Sequence, residues 1–324
     1  MDWIKVSIFT TSEGIEPLSG RLYQLGITGL EIEDEKDFKD FLENNKQYWD
    51  YVDDELIKEK EGETEVIAYV SDNAAGHEML MAIRNTVAEM KQLDDENEFG
   101  RLEIHIDNMK EEDWANNWKK YFHQFYVDDI LIIPSWEDVK PSDEDKMVIH
   151  IDPGTAFGTG MHETTQLCIR QIRKYTTETT KILDVGCGSG ILGMLALKFG
   201  AEHSVGTDLD PCAIDATYEN MENNGVSRDK YEVMIGNIIN DKEVQDKVGY
   251  ECYDIVAANI LAPVLVELTP VIVNQLKPGG IYITSGIIDD KEEMVKEAVA
   301  KAGLELLEVT YQGEWVCVTA RKNA

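Results

Sequence analysis

The sequence has few cysteines, few basic residues and no long apolar run. Five cysteines occur among 324 residues, they are widely spaced, and no C-x-x-C pair is present. This pattern argues against a zinc site and favours reduced thiols in a cytoplasmic protein. The longest uncharged apolar stretch, IVAANILAPVLV, is too short to cross a bilayer, and the opening MDWIKVSIF does not have the pattern of a signal peptide. We therefore expect a cytoplasmic protein with no metal and no membrane partner.

Basic residues are scarce relative to acidic ones. The 30 Lys and Arg residues stand against 63 Asp and Glu residues, for a net charge of −33. Such a field repels phosphates and argues against direct binding of nucleic acid. A basic protein partner fits better, because opposite charges speed encounter. Solubility or a salt-adapted host would explain the same composition, since net charge defines neither a fold nor a site.

The stretch KILDVGCGSG, residues 181–190, is the most informative part of the sequence. A short apolar run ends at Asp184 and precedes a helix-compatible segment. Between them, glycines alternate at Gly186, Gly188 and Gly190. Strand, glycine turn and helix together build a nucleotide-sized crevice at the carboxyl edge of an open α/β sheet. Asp208, near the end of the next strand HSVGTDL, could accept both hydroxyls of a ribose.

The glycine spacing distinguishes between two cofactors. A dinucleotide fingerprint, G-x-G-x-x-G, would place its third glycine at position 191, which is Ile191. This disfavours a dehydrogenase. The D-x-G-x-G-x-G form instead resembles motif I of the class I methyltransferases that use S-adenosylmethionine. Two alternatives are a glycine turn that binds no ligand and a non-enzymatic scaffold with a cofactor-like domain. The presence of the second acid, Asp208, argues against both.

The order of helices and strands predicts two domains. Residues 1–107 read as βαββαβ, the order of a small α+β ferredoxin-like domain, which we interpret as a substrate-recognition module. Residues 108–130 are predicted to be a linker containing a helix with one aromatic face. In 131–324, strands and helices alternate, which predicts an α/β doubly wound, mostly parallel sheet. Two final strands separated by Gly313 predict an antiparallel C-terminal hairpin.

The segment DPGTAFGTGMHETT, residues 152–165, is a candidate ligand-covering loop. Its glycines surround Phe157, which could act as an apolar lid, and Thr164 and Thr165 open a predicted helix. Polar side chains at the start of a helix can bind a ligand or cap the helix. The sequence leaves both roles open for His162 and Thr164.

Asn259 is the candidate catalytic residue. It ends YDIVAAN, at the carboxyl edge where α/β sheets place functional side chains. The position resembles motif IV of amino-methylating enzymes, in which an amide oxygen holds the target nitrogen. The following residues are I-L-A, without the aromatic that would stack on a flipped base, which argues against a DNA or RNA methylase. The alternative is a simple cap at the strand end.

Together with SGI at 285–287, GEWV at 313–316 and the segments EEDWANNWKKYF and IIPSWE, these motifs closely resemble the bacterial family that methylates large-subunit ribosomal protein eleven. The resemblance covers about residues 101–321 with specific motifs. It implies cytoplasmic N-methylation of lysine side chains and of the N-terminal α-amine, with S-adenosylmethionine as cofactor. It also implies that the N-terminal domain recognises the substrate protein.

The resemblance also implies roles for individual residues. Cofactor contacts map onto the glycine loop, the covering loop and the two strand ends, with Asn259 orienting the amine. The family's contacts map onto Thr165, Gly186, Asp208 and Asn259, and the glycine turn and the covering loop add Gly188, Gly190 and Phe157 to the predicted cofactor-binding residues. Met161 and Glu163 stand where the family usually has Thr and Pro around His162, so the resemblance defines neither the shape of that loop nor a role for His162.

Overall fold

The computed structural model describes residues 3–27, 29–34, 64–94, 97–106, 123–143, 145–152 and 158–323. The chain forms two compact units, Met1–Tyr121 and Phe122–Ala324. The boundary falls inside the range 108–130 predicted as a linker, and the helix expected there lies outside the described residues, as does Phe157. The first unit and the second unit are described separately below.

The first unit is an antiparallel sheet with helices. Its elements are β1 (Trp3–Phe9), α1 (Ile15–Gln24), β2 (Leu30–Glu33), β3 (Glu65–Ser71), α2 (Ala74–Leu93) and β4 (Glu103–Ile106). The strand order is β2-β3-β1-β4, and all pairs are antiparallel. Alternation along β1 buries Ile4, Val6 and Ile8 against α1 and α2. This arrangement confirms the predicted ferredoxin-like fold.

The second unit contains the other elements of the described chain. They are β5 (Phe125–Val127), β6 (Ile130–Ile133), β7 (Met147–His150), α3 (Glu163–Tyr175), β8 (Lys181–Val185), α4 (Ile191–Lys198), β9 (His203–Asp208), α5 (Pro211–Asn223), β10 (Tyr231–Ile235), α6 (Lys242–Val248), β11 (Tyr253–Asn259), α7 (Ala262–Ile272), β12 (Leu276–Ile288), α8 (Glu292–Lys301), β13 (Leu304–Gln312) and β14 (Trp315–Lys322). Strands β5, β6 and β7 form a small separate sheet, which places residues 125–130 in this unit although they were predicted to be part of the linker.

A seven-stranded sheet forms the centre of the second unit. Its strand order is β10-β9-β8-β11-β12-β14-β13, with β14 antiparallel to both of its neighbours and the remaining pairs parallel. This confirms the predicted doubly wound sheet with a C-terminal hairpin. The chain runs outward from β8 through β9 to β10, then returns to β11 on the other side of β8. The topological switch therefore lies between β8 and β11, where ligands bind in open α/β sheets.

Apolar helix faces cover this sheet. Helices α6, α7 and α8 share one core with alternate residues of the strands, including Leu183 and Val185 of β8. The intervening residues Ile182 and Asp184 face the other side of the sheet, where Asp184 meets α4. Helix α3 packs beside α4 and over β11, β12 and β14. In the described part of the chain, no helix is long and apolar enough to cross a membrane.

Candidate active site at the topological switch

A glycine loop with left-handed backbone joins β8 to α4. Gly186, Gly188 and Gly190 have φ angles of +71°, +52° and +78°, which glycine adopts without the steric cost that other residues incur. A Cβ atom on Gly186 would lie 2.7 Å from Cγ2 of Ile260, and one on Gly190 would lie 2.6 Å from Cγ2 of Thr217. The alternating glycines are therefore required both by the turn and by the close approach of neighbouring side chains.

Asp208 lies at the carboxyl end of β9, against this loop. Its Oδ2 accepts the backbone N–H of Gly188 at 2.9 Å, and its Oδ1 accepts that of Asp210 at 3.0 Å. Burial raises the pKa of Asp208 above its ordinary value, and the two N–H donors oppose this by stabilising the carboxylate. A carboxylate has about four acceptor positions. Asp208 therefore keeps acceptor capacity for the hydroxyls of a ribose.

Asn259 lies at the carboxyl end of β11, and Thr165 in the first turn of α3 fixes its side chain. The Asn259 Nδ2 donates a hydrogen bond to the Thr165 Oγ1 at 3.0 Å. The Asn259 Oδ1 is buried, and no described residue donates a hydrogen bond to it. Because buried acceptors are nearly always paired, this oxygen marks a place for a donor supplied by a bound molecule.

His162 is the N-cap of α3. Its Nδ1 accepts the backbone N–H of Thr164 at 3.3 Å and lies 2.8 Å from the Thr164 Oγ1. Burial lowers the pKa of His162, which favours the neutral ring that can accept these bonds. The ring meets Trp315 edge to face, with 4.6 Å between centroids. The structure thus supports the capping reading for His162 and Thr164 over the ligand-binding one.

A buried carboxyl group lies beneath the glycine loop. The Asp184 Oδ2 accepts the N–H of Gly193 at 3.2 Å and the hydroxyl of Tyr231 at 3.4 Å, while its Oδ1 has no hydrogen-bond partner within the described ranges. Burial raises the pKa of Asp184 to about 7. Cys187 is also buried, and its Sγ lies 3.9 Å from the Thr217 Oγ1, as a packing residue would.

Two residues that the sequence analysis did not identify also support the glycine loop. The Ser189 Oγ donates to the carbonyl of Gly158, and the Asn220 Nδ2 donates to the carbonyl of Ser189. A signal for Asn220 existed in the sequence. The buried face of α5 contains Ala213, Ala216 and Thr217, and Asn220 continues that stripe with a polar side chain. A polar residue on an apolar face indicates a buried hydrogen-bond partner.

The structure brings the predicted residues together at one edge of the sheet. Asp208 is bonded directly to the glycine loop, and Asn259 is bonded directly to Thr165. Ile260, which follows Asn259, packs against Gly186, since its Cγ2 would lie 2.7 Å from a Cβ on that glycine. It therefore connects the end of β11 to the glycine loop. Phe157 lies outside the described residues. Among the described residues, no group of three or more His, Cys, Asp or Glu side chains could hold a metal ion.

Comparison with known proteins identifies the family. The chain matches the model of ribosomal protein L11 methyltransferase (PrmA) over residues 2–323. The chain belongs to this family. A relative named ribosomal protein L11 methyltransferase from Agathobacter rectalis is 46% identical over 325 residues, which are 99% of each chain. Another of that name, from Lachnospira eligens, is 44% identical over the full length of both chains.

A solved structure agrees with this assignment. The crystal structure of a ribosomal protein L11 methylase from Lactobacillus delbrueckii subsp. bulgaricus superposes with a TM-score of 0.56 and 30% sequence identity. The match covers 63% of this chain and all of that one. Family membership and fold together confirm the resemblance inferred from the motifs, and with it the prediction of a methyltransferase.

Proposed function

We propose that this protein methylates amines of ribosomal protein L11, at lysine side chains and at the N-terminal α-amine, with S-adenosylmethionine as the methyl donor. The observation that carries the proposal is the buried Oδ1 of Asn259, which accepts no hydrogen bond from any of the residues that the structure describes. It lies at the carboxyl edge of the sheet, where the glycine loop and Asp208 form the other side of the crevice. An amine supplies the N–H that this oxygen lacks.

The crevice fits a cofactor that contains a ribose but no phosphate. The N–H of Gly188 is already bonded to Asp208, so it is not free to bind a pyrophosphate. The carboxylate itself would repel one but can accept ribose hydroxyls. We assign the cofactor contacts to Gly186, Gly188, Gly190 and Asp208. Thr165 and Asn259 complete the set, with the Thr165 hydroxyl acting on the site through its hydrogen bond to Asn259.

The chain's contribution to the reaction is positioning in a site shielded from water. S-adenosylmethionine, when bound, supplies a methyl group activated by a positively charged sulfur. A lysine amine has a pKa of about 10.4, so it arrives protonated and must lose a proton before it can attack. Transfer out of water, near a positive charge, lowers that pKa and assists the loss. Asn259 Oδ1 then accepts a remaining N–H and directs the nitrogen lone pair toward the methyl group.

The N-terminal unit is proposed to recognise the substrate protein. It is a complete sheet-and-helix fold with its own core, and nothing among its described residues resembles the crevice of the second unit. The net charge of −33 favours a basic protein over a direct nucleic-acid contact. We propose a domain division into 1–107 for recognition and 131–324 for catalysis, and a cytoplasmic enzyme that acts without a metal or a membrane partner.

A transfer assay tests this function. The protein is mixed with methyl-labelled S-adenosylmethionine and purified ribosomal protein L11, and the labelled residues are located by mass spectrometry. We expect label on lysine side chains and on the N-terminal amine. Asn259→Ala should weaken cofactor binding less than Asp208→Ala does and should transfer label at least about tenfold more slowly at saturating cofactor, because it removes the contact that orients the amine and leaves the ribose site intact. In a parallel reaction that contains whole large ribosomal subunits, label found only in the ribosomal RNA would contradict the proposal.

A further inference from the structure

Helix α5 holds two successive carbonyl groups of the glycine loop. The Thr217 Oγ1 donates to the carbonyl of Gly188 at 2.8 Å, and the Asn220 Nδ2 donates to the carbonyl of Ser189 at 3.0 Å. Thr217 and Asn220 are three residues apart on the helix, so they lie on one face. Both side chains are 0% exposed. These two bonds turn the loop carbonyls toward α5, which fixes the orientation of the peptide groups between the glycines.

Asn220 also holds the backbone that follows β7. Its Oδ1 accepts the N–H of Asp152 at 2.7 Å, and its Nδ2 donates to the carbonyl of Asp152 at 3.1 Å. One amide therefore makes three hydrogen bonds, to two separate parts of the chain, and all its bonding groups are satisfied. The Asn220 amide bonds to both the N–H and the carbonyl of Asp152, as the backbone of a paired strand would.

Ser189 connects the same loop to Gly158. The Ser189 Oγ donates to the carbonyl of Gly158 at 2.5 Å. A Cβ on Gly158 would lie 2.9 Å from the same Ser189 Oγ. Asp152 and Gly158 are thus both bonded to the Ser189–Asn220 pair. The geometry of the glycine loop and that of the backbone at Asp152 and Gly158 depend on the same two side chains.

We infer that Asn220, with Thr217, is a positioning residue for the methyl donor, although neither side chain needs to touch it. Together they set the glycine loop in the shape that places the Gly188 N–H on Asp208, and Asn220 aligns the backbone at Asp152 with that loop. This inference rests on the proposed function, since it concerns the affinity of the same crevice for S-adenosylmethionine.

Asn224 supplies a matched control. It makes the same two-bond contact with the backbone of His150, accepting its N–H at 2.9 Å and donating to its carbonyl at 2.6 Å. Unlike Asn220, it has no hydrogen bond to the glycine loop, since its remaining bonds go to Asn220 and Met194. A purely structural role in holding β7 would make the two substitutions equivalent, whereas a role in positioning the loop would not.

Calorimetric titration of the full chain with S-adenosylmethionine separates these cases. Asn220→Asp keeps the side-chain shape but replaces the donor with an oxygen that faces two carbonyls. We expect its Kd to rise at least about tenfold, and that of Asn224→Asp to stay within about twofold of wild type. In the transfer assay, Asn220→Asp should raise the cofactor KM, while kcat at saturating cofactor stays within about threefold of wild type.

A second variant covers the case in which Asn220→Asp does not fold. Thr217→Val has nearly the same volume and removes only the hydroxyl that donates to Gly188, and we expect it to raise the Kd about fivefold. The inference is overturned if Asn220→Asp and Thr217→Val bind like wild type, or if Asn224→Asp is weakened as much as Asn220→Asp. Failure of the wild-type protein to bind S-adenosylmethionine would instead overturn the proposed function.

Discussion

Thr165 holds the amide of Asn259 in one orientation. The bond from Asn259 Nδ2 to Thr165 Oγ1 is 3.0 Å long and joins the first turn of α3 to the end of β11. With the amide nitrogen bound on that side, the Asn259 Oδ1 is left as a buried acceptor to which none of the residues in the described part of the chain donates. A residue 94 positions earlier in the sequence therefore determines which atom of Asn259 meets the substrate.

The first prediction concerns this bond. Thr165→Val removes the acceptor while keeping the side-chain shape, so the amide loses the contact that fixes its orientation. We expect kcat to fall roughly fivefold to tenfold, as for loss of about 1 kcal/mol of orientation in the transition state. Thr165→Ser keeps the hydroxyl and should retain most of the activity. Wild-type kcat in Thr165→Val would show that the bond does not orient Asn259.

The second prediction concerns the ribose site. Asp208→Ala removes the carboxylate that holds Gly188 and that we assign to the ribose hydroxyls. Calorimetry should show the Kd for S-adenosylmethionine rising at least about tenfold, because charge-assisted hydrogen bonds are lost. Asp215→Ala, on the exposed side of α5, removes the same charge at a distance and serves as the control. Equal cofactor affinity in Asp208→Ala and wild type would refute the ribose assignment.

The third prediction concerns pH. The carboxyl of Asp184 has a pKa of about 7 in the folded protein, against about 3.9 in an unfolded chain. Between these values only the folded state carries the proton, so the contribution to stability is full below pH 4 and is lost as pH rises toward 7. Asp184→Asn stays neutral and keeps an acceptor for Gly193 and Tyr231, so it should lack this dependence.

Urea denaturation at pH 5 and pH 8 measures the effect. Relative to wild type, Asp184→Asn should gain on the order of 2 kcal/mol in unfolding free energy between these two pH values. The exposed Asp215→Asn should follow the wild-type pH dependence. If Asp184→Asn and wild type respond identically to pH, the buried carboxyl is not the group that titrates in this range.

The fourth prediction concerns Gly286, in the bulge of β12. Its φ is +85°, and a Cβ there would lie 2.3 Å from the backbone oxygen of Ile260. Gly303 has a similar φ of +77° with nothing within 4 Å of a Cβ. Gly303→Ala should therefore lower the free energy of unfolding by only about 1–2 kcal/mol, the cost of placing alanine in a left-handed backbone conformation. Gly286→Ala should cost more than about 3 kcal/mol, because the backbone beside Asn259 must also move.

Thermal unfolding of the two glycine variants distinguishes the steric effect from the backbone effect. The Tm of Gly286→Ala should fall well below that of Gly303→Ala. Equal Tm values for the two variants would mean that the contact with Ile260 relaxes at no cost. In that case the position of Asn259 would not depend on the bulge.

Much of the fold could be predicted because its signals are local. Strand β11 begins and ends with the predicted segment YDIVAAN, since its apolar run lies between Asp254 and Asn259. The short helix α6 was missed because only Val244 and Val248 of its seven residues are buried, which is too few to establish a period. The extension of β12 back to Leu276 was also missed, because Pro278, Gly279 and Gly280 read as a turn.

The site was only partly predictable. The sequence could place Gly186 and Asp208 at one edge of the sheet, because each lies at or just after the end of a strand and all parallel strands of a sheet end at the same edge. Their roles as cofactor contacts remain predictions. The sequence left the choice between capping and ligand binding open for His162, and it did not indicate the burial of Asp184 against Tyr231. Each depends on a contact whose geometry leaves no trace in local spacing or periodicity.

The sequence by itself determined the order of the elements, the turn that only glycine can form, and the family to which the chain belongs. The reason is that backbone preference and apolar periodicity act between near neighbours in the chain. Only the tertiary structure decided which atom of Asn259 is free and that Asn220 holds both Ser189 and Asp152. Hydrogen bonds between residues tens of positions apart form only when packing has brought their elements together, and these bonds give the crevice its shape.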